Sequence, residues 1–172
     1  MRLKSLVIGV VAVFVPVAAY AQAPGDDPLS MQNDDGQWVL PGKNYAATRF
    51  SSLNKITPEN VGKLKVAWSL STGTNQGHEG APLVVGSTMY VHSSYPNHVY
   101  AIDLTKEGGA VKWHYVPKQD ARAVPVACCD LVHRGLNYSH GKILMTTLDA
   151  QIIALDANTG KEIGRASCRE RV

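Results

Sequence analysis

The strongest constraint on this chain is that it repeats itself. Val99-Tyr100-Ala101-Ile102-Asp103-Leu104 is answered 53 residues later by Ile152-Ile153-Ala154-Leu155-Asp156-Ala157. Upstream of each copy, Gly86-Ser87-Thr88-Met89-Tyr90-Val91 has a counterpart in Gly141-Lys142-Ile143-Leu144-Met145, shifted by a residue or two. Between the copies the text is rich in β-branched and aromatic residues and is broken by turn chemistry at Gly86-Ser87, Pro96-Asn97 and Gly108-Gly109. That pattern predicts four short strands in a row, Ala81 to Val85, Thr88 to His92, Val99 to Leu104 and Val111 to Tyr115.

A four-stranded unit recurring at roughly 50 residues is the signature of an all-β fold, the β-propeller, in which each repeat is one blade. Hairpins of a β-sandwich fit less well, because they would not restate the same Ala-x-Asp turn at a fixed offset. Ahead of the first unit, Leu64, Val66, Trp68 and Leu70 alternate with Lys65, Ala67 and Ser69, which predicts a half-buried strand. Just before it, Thr57-Pro58-Glu59 predicts a one-turn helix with Thr57 as N-cap and Pro58 at the first helical position. Residues 24–162 should therefore hold one complete blade, most of a second, and an entering strand around Trp68 that belongs to a ring-closing blade. Propellers close with roughly 4 to 8 blades, and each blade buries its apolar face against its neighbours. On its own the chain should be unstable or prone to aggregate.

With 172 residues, 45% hydrophobic and 18% charged, the chain is long enough for one domain and is neither disordered, collagen-like nor disulfide-dense. The net charge of +3 is misleading about partners. Arg2 and Lys4 sit at one end, and Arg165, Arg169 and Arg171 with Glu170 at the other; the body between carries 12 basic and 13 acidic groups. That balance gives no case for a nucleic-acid partner.

The two ends read differently from the body. A positive start, the apolar run Leu6 to Ala19, and the small-x-small patterns Ala19-Tyr20-Ala21 and Ala21-Gln22-Ala23 predict a secretory signal peptide over residues 1–23. The run is short of the roughly 20 residues that span a bilayer and contains Pro16, so no membrane span is expected after cleavage. Export implies an oxidising compartment, here the periplasm. From Ile163 to Val172 the apolar period stops and arginines accumulate. This string resembles the read-through translation of a common sequencing adapter, so residues 163–172 are expected to be non-native and Cys168 is left out of the cysteine arithmetic.

Three features of the body could carry chemistry. Cys128-Cys129 is an adjacent pair in an exported chain: either a strained eight-membered disulfide ring, since neighbouring Cα atoms lie at about 3.8 Å against the usual 4.4 to 6.8 Å, or two reduced buried hydrophobes. Glu79, in Gly77-His78-Glu79-Gly80-Ala81-Pro82, precedes the first strand of a blade. There it either faces a ligand in the channel mouth, where glycines allow close backbone approach, or is simply solvated. Arg134, five residues after Cys129, offers a planar fork suited to a carboxylate or quinone oxygen, or is a surface residue. Other signals dissolve on inspection. Asp156 to Gly160 has its glycine one position early for a calcium loop, Thr159-Gly160-Lys161 lacks the rest of a phosphate loop, and the six histidines form no haem motif or helical metal pair.

Taken together, Trp38 to Tyr45, Gly77 to Val85, Pro117 to Asp120, Val126 to Leu136 and Ala154 to Lys161 resemble the quinoprotein alcohol dehydrogenases, in particular the large subunit of the PQQ-dependent methanol dehydrogenases. The resemblance implies an eight-bladed propeller with PQQ in its central funnel. It implies that Cys128 and Cys129 form a vicinal disulfide against one face of the quinone, and that Glu79 and Arg134 hydrogen-bond its polar rim. It implies oxidation of a small alcohol, assisted by a calcium or lanthanide ion and an aspartate base, with hydride passing to the quinone. A soluble cytochrome c would accept the electrons, and a small subunit or a second copy would complete the assembly. By the family pattern no catalytic residue and no metal ligand falls within residues 1–162, so Asp130, Asp149 and Asp156 are read as turn or structural acids. His133 stands where the family commonly has asparagine, and Gly164 stands where the blade-closing turn ordinarily has tryptophan. Rival readings are an ethanol or broader alcohol quinoprotein dehydrogenase and a non-enzymatic propeller of the outer-membrane assembly type; the latter is usually lipid-anchored and lacks the paired cysteines.

Overall fold

A computed structural model describes residues 27–167. The expected signal peptide and the end of the expected non-native tail, with Cys168, lie outside the described residues. Eight strands form two four-stranded antiparallel sheets, each in simple sequence order. The first holds β1 (Leu83–Val85), β2 (Thr88–His92), β3 (Val99–Asp103) and β4 (Ala110–Tyr115). The second holds β5 (Asn137–Ser139), β6 (Lys142–Thr146), β7 (Gln151–Asp156) and β8 (Glu162–Ser167). These are two consecutive propeller blades; three strands of the second lie within residues 24–162, and its fourth, β8, starts at Glu162 and runs on into the expected tail.

The register shows how closely the repeat is built. Ala101 pairs with Trp113 and Ala154 with Gly164, and in both sheets the ladder slips by one residue at the next position, Ala101/Ile102 and Ala154/Leu155. Both copies end in an aspartate that caps its own turn. Asp103 Oδ1 accepts from the Thr105 backbone N–H and hydroxyl, and Asp156 Oδ1 accepts from the backbone N–H groups of Asn158 and Thr159 and the Thr159 hydroxyl. Short Asx turns of this kind close a hairpin without help from tertiary contacts.

Burial grades from inside to outside. β2 alternates buried and half-buried residues and β6 alternates buried residues with half-buried or exposed ones, whereas in β4 no residue is fully buried. The core lies between the sheets: Leu83, Tyr90, Val99 and Ala101 from the first meet Leu136, Tyr138, Ile143, Met145, Ile153 and Leu155 from the second. Tyr90 crosses the gap and donates to the Ala157 carbonyl at 3.0 Å. Trp113 does the same from β4, its Nε1–H donating to Ala157 O at 3.0 Å while its ring lies flat on Gly160. A Cβ at Gly160 would stand 2.6 Å from the indole, and the residue has φ of +70°, so both space and backbone demand glycine there.

Trp68 stands on Gly109 in the same way, a Cβ there meeting its ring at 2.7 Å. This clasp explains a correction. Leu64 to Leu70 was expected to be a half-buried strand, but the segment pairs with no described strand, and Val66 is 87% exposed. Its tryptophan occupies the place of an outer-strand tryptophan in a preceding blade, yet the strands that would pair with it are absent from the described residues. Alternation predicts which side chains share a face, but a ladder needs a neighbour. The helical turn near Thr57 forms, with the Thr57 carbonyl accepting from Asn60 and Val61 N–H, and runs on into a short 3₁₀ segment at Val61–Lys63.

Residues 163–167 pair with β7 as part of β8. Backbone ladders accept any side chain but proline, so this pairing is indifferent to the odd composition there. Gly164 occupies the site of Trp113 in the first blade, and a Cβ there would touch Ala154 at an ordinary 3.9 Å, leaving room for a larger residue.

Candidate cofactor-binding face

The segments that lead into the first strand of each blade approach one another at Gly80 and Gly135, and these two lead-ins carry the candidate residues. Glu79 and Gly80 precede β1; Cys128 to Gly135 precede β5. The second lead-in starts from a 3₁₀ segment, Ala121–Val126, capped by Asp120, whose carboxylate accepts from Arg122 N–H. Asp149 holds that cap to the second blade by accepting from the Asp120 N–H at 2.9 Å and from the Thr147 hydroxyl at 2.5 Å. Burial works to raise the Asp149 pKa, but these bonds together with Gln151 bring it below the ordinary value. Asp130, at φ +67°, accepts from Leu131 N–H and turns the chain. Asp130 and Asp149 each hold these local bonds, and Asp156 is spent in its hairpin.

The fold brings all four expected residues to one face. Arg134 Nη1 stands 3.3 Å from Glu79 Oε2, with both side chains largely exposed. The charges of Arg134 and Glu79 both reach the thiol of Cys129, Arg134 drawing its pKa down and Glu79 pushing it up; the thiol hydrogen bond with Cys128 is the largest influence and leaves the Cys129 pKa raised. Cys128 and Cys129 are exposed, with Sγ atoms 2.9 Å apart, and are free thiols. The expected disulfide is therefore not formed in this structure. A disulfide requires about 2.05 Å, so the pair stands here as two adjacent thiols within bonding reach of each other. The alternative of two buried hydrophobes does not hold, because both side chains face solvent.

Beneath this face lie two histidines that the sequence reading left unassigned. His92 ends β2 and is 3% exposed; His133 is 6% exposed. Their rings meet edge to face with centroids 4.4 Å apart. His133 Nδ1 accepts from Gly135 N–H at 3.2 Å, so the proton sits on Nε2, which donates to the Thr146 carbonyl at 2.8 Å. His92 Nε2 donates to the His133 carbonyl at 3.1 Å. Burial lowers both pKa values, that of His92 to about 4, so both rings are neutral. The signal available in the sequence was the spacing: His92 closes a predicted strand, and His133 adjoins the candidate arginine.

Beside Arg134 a cleft of about 330 Å³ is lined by Asn97, Val132, His133, Thr146, Thr147 and Leu148. The side-chain oxygen of Asn97 is buried there without a hydrogen-bond partner. Among the described residues no group of three or more His, Cys, Asp or Glu side chains is placed to hold a metal ion, and no helix is long and apolar enough to cross a membrane.

Residues 38–165 match the family described as PQQ: glucose/ethanol/alcohol dehydrogenase, beta-propeller domain. The chain is 63% identical over 138 residues to the lanthanide-dependent methanol dehydrogenase of Methylacidiphilum fumariolicum, covering 80% of this chain and 23% of that protein. It is 45% identical over 155 residues to methanol dehydrogenase (cytochrome c) subunit 1 of Methylobacterium organophilum, covering 86% and 25%. A solved europium-containing methanol dehydrogenase superposes with a TM-score of 0.79 at 61% identity, over 81% of this chain and 24% of that one. The chain thus spans about a quarter of the length of the relatives it matches.

Proposed function

This chain belongs to the PQQ-type glucose/ethanol/alcohol dehydrogenase β-propeller family, and from that premise we propose that it supplies one edge of the cofactor funnel of a periplasmic quinoprotein oxidising a primary alcohol, foremost methanol, to the aldehyde. The observation that carries the proposal is the gathering of Glu79, Cys128, Cys129 and Arg134 on one exposed face. Support for methanol and for a cytochrome c acceptor comes from the names of the relatives, as does support for a calcium or lanthanide ion beside the cofactor.

The residues present fit an edge of PQQ, a flat quinone bearing carboxylates. Arg134 offers a planar cationic fork to a carboxylate or carbonyl oxygen. Glu79 holds that fork at 3.3 Å and offers an acceptor of its own. The two sulfurs offer a soft, polarisable surface against a flat ring. Bound PQQ would supply the two-electron acceptor chemistry that side chains lack. This chain's own residues bind and orient. No proton-transfer role falls to Asp130, Asp149 or Asp156, each of which is committed to a turn or cap.

In the oxidising periplasm we propose that Cys128 and Cys129 close to the vicinal disulfide. Thiol titration of the purified chain, before and after reductant, should find the pair unreactive until reduced. The cofactor assignment is tested by titrating PQQ into the chain and following the quenching of its fluorescence. Arg134→Ala should weaken binding about tenfold or more, the loss expected of a hydrogen bond to a charged group. Equal affinity of the wild-type and Arg134→Ala chains would remove Arg134 from the site.

A further inference from the structure

We propose that His92 and His133 are positioning residues for the Glu79–Arg134 pair, with the His92 ring as the footing on which both charged segments rest. The inference rests on the reading above that the pair meets the cofactor's polar rim, but its geometry stands without a ligand.

Glu79 and Arg134 belong to lead-ins of different blades and lie 55 positions apart in the chain. Apart from the ion pair between them, burial fixes neither side chain, since both are substantially exposed. What holds them is the backbone on either side. Gly80, which follows Glu79, lies so close to His92 that a Cβ there would stand 2.0 Å from Cε1 and 2.4 Å from Nε2. The same Cβ would stand 2.9 Å from the Cα of Gly135, the residue after Arg134. On the other side, the carbonyl of His133, the residue before Arg134, accepts the His92 Nε2 proton at 3.1 Å. One imidazole therefore touches the neighbour of Glu79 and bonds the neighbour of Arg134.

His133 completes the mount. Its Nδ1 takes the Gly135 N–H and its Nε2 gives to Thr146 O at the end of β6. Both peptides flanking Arg134 are thus tied to imidazole nitrogens, and the pair of rings is tied to the second blade. Each ring uses its polar atoms in the neutral form. The ionisable groups around His92 are His133, His78 and, at the surface, Glu79 and Arg134. A phenylalanine at 92 would keep a flat ring, somewhat larger than imidazole, but leave the His133 carbonyl without its donor, and an unpaired buried acceptor is relieved by moving the peptide that carries it.

The test reads the position of Arg134 through the Cys129 thiol, which feels the Arg134 charge. In the full chain carrying Cys128→Ser and Cys168→Ser, the pH dependence of alkylation gives the Cys129 pKa. Arg134→Ala should raise it, slowing alkylation at pH 7.5 about threefold. In a His92→Phe background the same Arg134→Ala change should have no effect, because Arg134 has already left its place. His92→Gln, whose amide can donate to the same carbonyl, should restore the effect, and His133→Ala should abolish it as His92→Phe does. An Arg134→Ala effect of equal size in the wild-type and His92→Phe chains, both with native circular dichroism, would overturn the proposal. If His92→Phe fails to fold, an unchanged effect in His133→Ala overturns it instead. The cofactor reading fails separately: PQQ affinity indifferent to Arg134→Ala would discard that reading and leave the thiol coupling as measured.

Discussion

At the scale of single residues, protonation of His92 is where acidity meets the fold. Burial holds its pKa at about 4, and the neighbouring His133 and His78 push in the same direction, against 6.5 for an ordinary imidazole. Between those values the unfolded chain binds a proton that the folded chain refuses. Stability is therefore full above about pH 6.5 and falls as the pH drops towards 4. Urea midpoints measured at pH 7.5 and 4.5 should differ strongly in the wild-type chain, and His92→Phe should flatten part of that difference, with His133 supplying the remainder. Asp149 behaves in the opposite chemical sense with the same outward sign. Its lowered pKa means that its contribution is present above about pH 4 and lost as the pH falls through its folded value. Asp149→Ala strips acceptors from Asp120 N–H, Thr147 and Gln151 and should cost about 1–3 kcal/mol. Chemical denaturation at pH 7 measures it. Of the candidate residues, the cysteine pair was legible because adjacent cysteines are rare in an exported chain, whereas Glu79 and Arg134 were singled out from other surface charges by the motifs around them. The histidine mount was not, because a buried imidazole is announced by its neighbours in space and not by its neighbours in sequence.

At the scale of elements, each blade receives the same clasp, a tryptophan from the preceding segment laid on a turn glycine. Trp68 on Gly109 and Trp113 on Gly160 are two instances. Gly160→Ala adds a Cβ into the Trp113 ring at a residue in the left-handed region, and should destabilise by about 1–3 kcal/mol from crowding and strain together. Trp113→Ala removes both the ring and the bond to Ala157 O and should cost about 3–5 kcal/mol. Thermal melts of the two variants, singly and combined, check the clasp directly. The double variant should lose less than the sum, since both changes break one contact. The strand around Trp68 illustrates what alternation can and cannot predict. Alternation marked Trp68 as one of four residues on a shared face, while the pairing of that segment depended on strands that are not among the described residues.

At the scale of the whole molecule, two blades leave faces that a ring would cover. Phe50, Leu53, Ile56, Leu64 and Val66 lie 62–87% exposed along the segment ahead of the first blade. Exposed apolar side chains in one contiguous stretch of chain favour association. The purified 172-residue chain is expected to bind a hydrophobic dye and to sediment as concentration-dependent oligomers; a monodisperse monomer without dye binding would contradict this. The core that does form is shared between both blades, so the two are expected to melt together, with tryptophan fluorescence and far-ultraviolet circular dichroism giving one midpoint.

The sequence by itself determined the repeat, the fold class that follows from it, the four strands of the first blade and their counterparts β6 and β7 in the second, the turns at Asp103 and Asp156, and the residues worth suspecting. These are local properties: periodicity, turn chemistry and residue type act over a few positions and can be read in a line. The tertiary structure alone decided the rest. It set Glu79 against Arg134 across two blades, stood Trp113 on Gly160, left the Trp68 segment unpaired, and placed His92 under both charged segments. Each of these is a contact between residues tens of positions apart, and packing and desolvation act through space, where the order of the chain no longer counts.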